Sequence, residues 1–438
     1  MNLVKWLYPG MHVKRWLLLQ IVGVSLISLG VAYILAHLYR AEPFPEFVGA
    51  LALQFIDRPL RGILFIVAGV ALIGLAIMRL NQSVLSAFDA LRDESIVDVI
   101  YERRCLMRGP RVVAIGGGTG LSTLLRGLKR HTSNLTAIVT VADDGGSSGR
   151  LRRELGVPPP GDFRQCLVAM SEVEPLTARL FQYRFREGIG LDGHSFGNLF
   201  IVALAAVTGS FERAIRESCR VLAVRGQVLP STMADVTLCA EFEDEDRIRG
   251  ESRITKTHKA IRRVFLDPPQ PPAYAEAIRS ILHADLIVIG PGSLYTSVLP
   301  NLLVGEIACA VKSSKATKIY VCNVATERGE TDHFSVEDHV RALLDHVGPG
   351  VLDCVLANEN LSLHLPPEFD SQPVSLGEGT ARLCQHKLVL ADVVDPASPT
   401  HHDPEKLAEA VMQIYCEMTQ STRERLPIVP EEALVVRL

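Results

Sequence analysis

Arg111-Val-Val-Ala-Ile-Gly-Gly-Gly-Thr-Gly-Leu121 sets an unbroken apolar run against four glycines in five residues, and an amphipathic stretch follows. The apolar run, Val112 to Ile115, reads as a strand buried on both faces, and Leu121 to Arg130 reads as a helix. Glycine lets the backbone turn sharply between the two and brings amide N–H groups to the helix N-terminus, a place that favours phosphate. Gly116, Gly117, Gly118, Thr119 and Gly120 are therefore candidate ligand contacts. No Gly-Lys-Ser/Thr follows, so the turn is not a P-loop. Its glycine spacing also departs from GxGxxG, which weighs against an NAD-dependent oxidoreductase.

The same pattern recurs downstream. Thr136 to Val141, Leu286 to Ile289, Lys318 to Cys322 and Val351 to Leu356 read as buried strands, with helices fitting between most of them. Strand and helix alternating in this way predict an α/β fold: Rossmann-like, a mainly parallel sheet with helices on both faces. Thr237 to Ile254 reads as a β-hairpin excursion. Asp403-Pro404 reads as the start of a terminal helix over Glu405 to Tyr415.

Ligands of such sheets bind beyond the carboxyl ends of the strands, so the residues after each apolar run carry the chemistry. Ala142-Asp-Asp-Gly-Gly-Ser-Ser-Gly149 adds two carboxylates and the hydroxyls of Ser147 and Ser148. Asp143 or Asp144 suits a ribose hydroxyl, magnesium beside phosphates, or proton transfer; a plain capping turn is the alternative. Pro158-Pro-Pro-Gly-Asp162-Phe-Arg164 supplies an acid and a guanidinium shaped for bidentate phosphate contact. His194-Ser-Phe-Gly-Asn198 opens an apolar helix, Leu199 to Val207, with His194 and Asn198 at its positive end; His194 alone reads more readily as a cap than as a catalyst. Gly290-Pro-Gly292-Ser293-Leu-Tyr295-Thr-Ser297 repeats the strand, glycine loop, helix design, with Ser293 or Thr296 as cap. Cys322-Asn323-Val-Ala-Thr326 through Asp332 does so again, and Ser335-Val-Glu-Asp338 reads as a capping box. Four strand ends of this composition on one sheet edge predict a single shared site.

Two apolar stretches, Leu17 to Leu38 and Gly62 to Met78, precede all of this. Their lengths suit helices crossing a bilayer core of about 30 Å, so residues 1–80 are expected to form a transmembrane hairpin. Residues 81–110 carry an apolar stripe through Val84, Phe88, Leu91 and Ile96 and read as a connecting helix into the domain of 111–438. Lys5, Lys14 and Arg15 before the first stretch, and Arg79, Arg92, Arg103 and Arg104 after the second, predict cytoplasmic termini and a cytoplasmic main domain on a multi-pass cell-membrane protein.

A net charge of −4 leaves no electrostatic footprint for nucleic acid. The nine cysteines are scattered, with no CxxC pair, and the thirteen histidines show no zinc spacing. His401-His402 resembles a ligand pair, but neighbours in a chain point apart.

With these motifs in hand the chain resembles the bacterial gluconeogenesis factor (YvcK-like) family, related to the 2-phospho-L-lactate transferases (CofD-like). The matching stretches are Gly116 to Leu121, Val141 to Arg150, Pro160 to Arg164, His194 with Gly197 to Leu199, Gly290 to Ser297, Pro300 to Leu302 and Cys322 to Val324. The resemblance implies a Rossmann-like core binding a nucleotide sugar of the UDP-N-acetylglucosamine type. It also implies a regulatory role linking gluconeogenic carbon metabolism to cell shape and cell-wall synthesis proteins. Thr119 and its glycines would hold phosphate or sugar, with Asp143, Asp144, Asn198, Ser293 and Tyr295 nearby. Gln165, Glu327-Arg328 and the region from Asn358 to Pro373 depart from the family pattern. The alternative is a CofD-like transferase moving a phospho-lactate-type group from a nucleotide donor, with magnesium on Asp143 or Asp144 and His194 or an aspartate assisting proton transfer.

Overall fold

The computed structural model describes residues 14–41, 53, 56–86, 103–172, 175–362, 371–377, 387–424 and 435–437. The chain divides into two compact units, Met1–Cys105 and Leu106–Leu438.

The first unit contains two helices, α1 (Lys14–Ala41) and α2 (Arg58–Ser86). Ile21, Leu26, Ile27 and Ile34 on α1, and Ile63, Ile66, Val67 and Leu72 on α2, are exposed. Among the described residues no single helix is long and apolar enough to cross a membrane; the apolar helical stretches run Gln20–Ile34 and Gly62–Leu75. Most of the expected connecting helix, residues 87–102, lies outside the described residues.

In the second unit the decisive motif folds as read. β1 (Val112–Gly116) is buried throughout, and α3 (Gly118–Leu128) begins inside the glycine turn rather than at Leu121. Leu121, Leu124, Leu125 and Leu128 bury one face of that helix completely, the spacing expected of an amphipathic helix on a sheet. The chain continues through β2 (Leu135–Val139), α4 (Gly146–Leu155), α5 (Gly161–Met170), α6 (Phe196–Thr208) and β3 (Gln227–Pro230). The charged excursion is a three-stranded antiparallel sheet: β4 (Thr237–Phe242) lies between β5 (Arg247–Arg249) and β6 (Ile261–Asp267). After it come β7 (Leu286–Ile289), β8 (Thr317–Val321), α7 (Val336–Val347), β9 (Cys354–Asn358) and β10 (Lys387–Ala391). A short antiparallel pair, β11 (Val394–Asp395) with β12 (Ser398–His402), leads into α8 (Pro404–Glu424), and β13 (Val435–Arg437) closes the order. Asp403 Oδ1 accepts from the amides of Glu405 and Lys406, the expected helix start.

The main sheet has eight described strands in the order β13-β10-β9-β8-β7-β1-β2-β3, and every pairing is parallel. β2 and β3 run outward on one side of β1, and β7 to β10 followed by β13 run outward on the other. The sheet is Rossmann-like, with its reversal of strand order between β1 and β7. The last predicted strand sits later than expected, at Cys354–Asn358, and just before it the Asp353 carboxylate accepts from the Lys318 amide at 2.9 Å.

Candidate functional site

The four predicted strand ends belong to β2, β1, β7 and β8, which are consecutive in the sheet. At the reversal point between β1 and β7 lies a cleft of about 380 Å³. Gly117 to Gly120 form one wall, Pro291 to Ser293 another, and Asn323 to Glu327 a third; Thr400, His401 and His402 of β12 and Ser371 complete it.

The glycines make this geometry possible. Gly118 has a φ of 63°, a backbone conformation costly for residues with a Cβ. A Cβ on Gly120 would lie 2.6 Å from the Pro291 carbonyl oxygen, so the β1 and β7 loops touch through this residue. No side chain caps α3 from Gly117, and first-turn amides have no acceptor within a helix, which leaves the turn suited to an anion. Asn323 fixes the opposite wall, its Oδ1 accepting from the Gly292 amide at 3.1 Å. From behind, Asn301 donates to the carbonyls of Gly116 (2.9 Å) and Ser297 (2.8 Å).

The β2 end builds a second, buried group. The Ser147 hydroxyl lies 2.9 Å from His194 Nδ1 and accepts from Asn198 Nδ2 at 3.0 Å, while Asn198 Oδ1 accepts from Arg164 Nε at 3.0 Å. Ser148 Oγ accepts from the Gly161 amide, tying α4 to the start of α5. His194, Ser147, Asn198 and Arg164 are all buried, so Arg164 anchors the scaffold through Asn198. Ser195, not His194, caps α6, accepting from the Asn198 amide.

Asp162 joins the two regions. Its Oδ2 would lie 2.5 Å from a Cβ on Gly117, and the Gly118 amide donates to its carboxylate. Burial, then the neighbouring Asp143, push Asp162 up to about 7 against the pull of that amide and Arg164. Asp143 is raised by burial, although the Gly145 amide donates to its Oδ1 at 2.9 Å. The three-stranded excursion adds Glu251, raised by burial and then by Asp143, Asp144, Asp162 and Glu327 to about 8. Asp144 Oδ1 accepts from the Ser252 amide at 2.8 Å. Among the described residues no three or more of His, Cys, Asp and Glu gather to hold a metal ion.

Three placements differ from the sequence reading. Tyr295 is 2% exposed and packs in the core, its ring 6.3 Å from Phe334 and 5.8 Å from His346, so it does not line the cleft. Neither Ser293 nor Thr296 caps a helix, because Leu294–Val298 is a π-turn; Thr296 instead donates to Glu330 at 2.8 Å. The extra residue in a π-turn alters which side chains face the ligand side. Third, His401 and His402 end a strand and line the cleft; as expected they point apart, His402 buried against the Cys322 carbonyl and His401 exposed beside Ser398 and Thr400. Ser297, at the end of the Gly290 to Ser297 motif, also lines the cleft, and Thr123 and Ser371 are further lining residues that no motif flagged.

The family described as 2-phospho-L-lactate transferase CofD matches residues 112–381. A gluconeogenesis factor of Halalkalibacterium halodurans is 48% identical over 318 residues, covering 70% of this chain and 97% of that protein. This chain belongs to the gluconeogenesis factor family, within the CofD family. A second family member, the gluconeogenesis factor of Bacillus subtilis, is 55% identical over 249 residues, 57% of this chain and 78% of that protein. A Nostoc sp. protein provisionally named a gluconeogenesis factor is 48% identical over 421 residues, so its similarity reaches 94% of this chain and 92% of its own length. A crystal structure from Bacillus halodurans shares the fold, with a TM-score of 0.67 at 47% identity, covering 70% of this chain and all of that one.

Proposed function

We propose that this gluconeogenesis factor is a membrane-anchored, cytoplasmic regulator that binds a nucleotide sugar of the UDP-N-acetylglucosamine type and couples gluconeogenic carbon metabolism to cell shape and cell-wall synthesis. The observation that carries the ligand class is the cleft at the strand-order reversal, where the start of α3, with Asp162 on the Gly118 amide, meets two glycine loops. Its volume, about 380 Å³, lies in the range of roughly 300–1,000 Å³ usual for small-molecule sites. Diphosphate would sit against Gly117 to Gly120, and the polar side chains of Ser293, Asn323 and Thr326 would meet hydroxyls of the sugar or ribose. The names of the relatives support the metabolic half of the reading.

The anchor rests on α1 and α2. Helices apolar on exposed sides are unstable in water and need lipid or protein to cover them. At 28 and 29 residues each helix is long enough for the roughly 30 Å of a bilayer core, although the described apolar stretches, Gln20–Ile34 and Gly62–Leu75, are shorter, and the flanking Lys and Arg of the sequence support a cytoplasmic main domain.

Thermal unfolding of the full chain in detergent, with UDP-N-acetylglucosamine, UDP or NAD added, tests the ligand class, since a ligand of the native state raises the melting temperature. A rise with the UDP sugar and none with NAD is expected; a rise with NAD alone, or with no nucleotide, overturns the reading.

The CofD name favours one alternative, a transferase moving a phospho-lactate-type group from a nucleotide donor. Asp162 against the glycine turn, with Asp143 beside it, would then supply the acids. That reading requires release of free nucleotide from a donor and its loss in Asp143→Asn, whereas a pure binder shows turnover in no variant.

A further inference from the structure

The cleft wall that follows β8 contains a feature the phosphate reading does not use. Glu327 follows β8 into the cleft, and its Oε2 is buried without a hydrogen-bond partner among the described residues. The other side of its carboxyl is held by Ser293, a residue of the same cleft. Behind it stands Glu330, 7% exposed, with Oε1 accepting from Thr296 at 2.8 Å and Oε2 likewise buried and unpartnered. The Glu330 amide donates to the Glu327 carbonyl, so the two side chains rise from one tight turn.

A buried polar atom without a partner is costly, and a ligand group can recover that cost on binding. An ionised carboxylate here would repel a diphosphate in the same cleft. Resting on the nucleotide-sugar reading above, we propose that Glu327 is the specificity residue for the ligand's sugar moiety, its free oxygen pairing with an uncharged hydroxyl or amide at the end of the cleft away from the glycine turn. The diphosphate is thereby confined to the Gly117 to Gly120 side, and Ser293 holds the Glu327 carboxyl in place.

The charged surroundings favour a neutral carboxyl. Burial raises Glu327, while burial and Glu327 itself raise Glu330. From the excursion Glu251 faces the pair, with Asp143, Asp144 and Asp162 beyond it. His401 and His402 of β12 lie across the cleft, and Arg328 on the same turn is exposed. Sugar binding therefore weakens as rising pH strips the proton from the pair.

Isothermal titration of the full chain in detergent with UDP-N-acetylglucosamine and with UDP, from pH 6 to pH 8.5, tests this. Glu327→Ala should weaken the UDP sugar by about tenfold or more, the worth of one buried hydrogen bond, and leave UDP within about twofold. Glu327→Gln, which keeps a neutral hydrogen-bonding group, should hold the UDP sugar within about threefold and flatten its pH dependence. Equal weakening of UDP and UDP sugar by Glu327→Ala, or an unaltered UDP-sugar affinity in that variant, overturns the proposal while leaving the ligand class intact. Failure of the unaltered protein to bind any UDP compound overturns the ligand class and this assignment together.

Discussion

Asp162 Oδ2 presses on Gly117 so closely that a Cβ there would come within 2.5 Å of it, with Thr140 Cγ2 at 3.1 Å on another side. The contact couples the glycine turn of the cleft to the acidic group beneath it. Gly117→Ala must move either the turn or Asp162, and Gly120→Ala meets unyielding backbone, the Pro291 carbonyl oxygen at 2.6 Å and Gly292 Cα at 2.9 Å. Both variants should lose about 1–3 kcal/mol of stability by overpacking, and Gly120→Ala should in addition weaken nucleotide-sugar binding by spreading the β1 and β7 loops. Denaturant titration and calorimetry check the pair; wild-type values for Gly120→Ala would show that the loops do not need their contact.

The buried chain Arg164, Asn198, Ser147, His194 predicts a stability effect without a change of charge. Ser147→Ala removes the partner of both Asn198 Nδ2 and His194 Nδ1, leaving buried polar groups unmatched. A loss of about 1–3 kcal/mol is expected, compared with a few tenths for an exposed serine. Chemical denaturation of the two serine variants side by side decides it.

Stability should also depend on pH from both directions. Asp162 and Glu251 keep their protons up to about 7 and about 8 in the folded chain, whereas unfolded carboxyls ionise near about 4. Across that interval the unfolded state has shed protons the native state still holds, so stability falls as pH rises through the folded values. His402 acts oppositely: burial lowers it to about 4, while an unfolded histidine takes a proton at about 6.5, so stability falls as pH drops from the second value through the first. Asp162→Asn and Glu251→Gln should therefore raise the melting temperature at pH 8.5 and leave it nearly unchanged at pH 4. An equal rise at both would trace the effect to packing rather than ionisation.

The first unit makes a prediction of its own. The full chain should sediment with membranes and resist extraction by alkaline carbonate, while residues 106–438 alone, which contain the whole eight-stranded sheet, should stay in the supernatant. Recovery of the full chain in the carbonate supernatant would remove the anchor.

Legibility in the sequence followed burial. β1 and β7 are short apolar runs punctuated by glycine, and both were readable because a strand covered on two faces has no polar alternation to obscure it. β3 was not readable, since Gln227 and Pro230 leave only Val228 and Leu229 as signal on an edge of the sheet. β10, with Lys387 at its start, lay in the stretch after Pro373 where no motif guided the reading. Of the four glycine-rich strand ends expected to share one site, those of β1, β7 and β8 line the cleft, while that of β2 belongs to the buried group beside it. The far wall of the cleft was not readable, because the contribution of β12 depends on a turn between β11 and β12 that is set by tertiary packing. Tyr295 was misplaced for a related reason: a π-turn changes the phase of a helix, and composition does not announce it.

Arg111 at the start of β1 holds Asp285 at the start of β7 across 174 positions of sequence, through its amide and its guanidinium. A ribosome delivering the chain from its N-terminus presents the first glycine turn long before its counterpart. Everything between, including the excursion sheet, must be synthesised before those two loops can meet, and long-range closure of that kind is slow. A ligand of the proposed kind would therefore find no cleft on a nascent chain that stops short of the β7 and β8 loops, because residues of both loops line it.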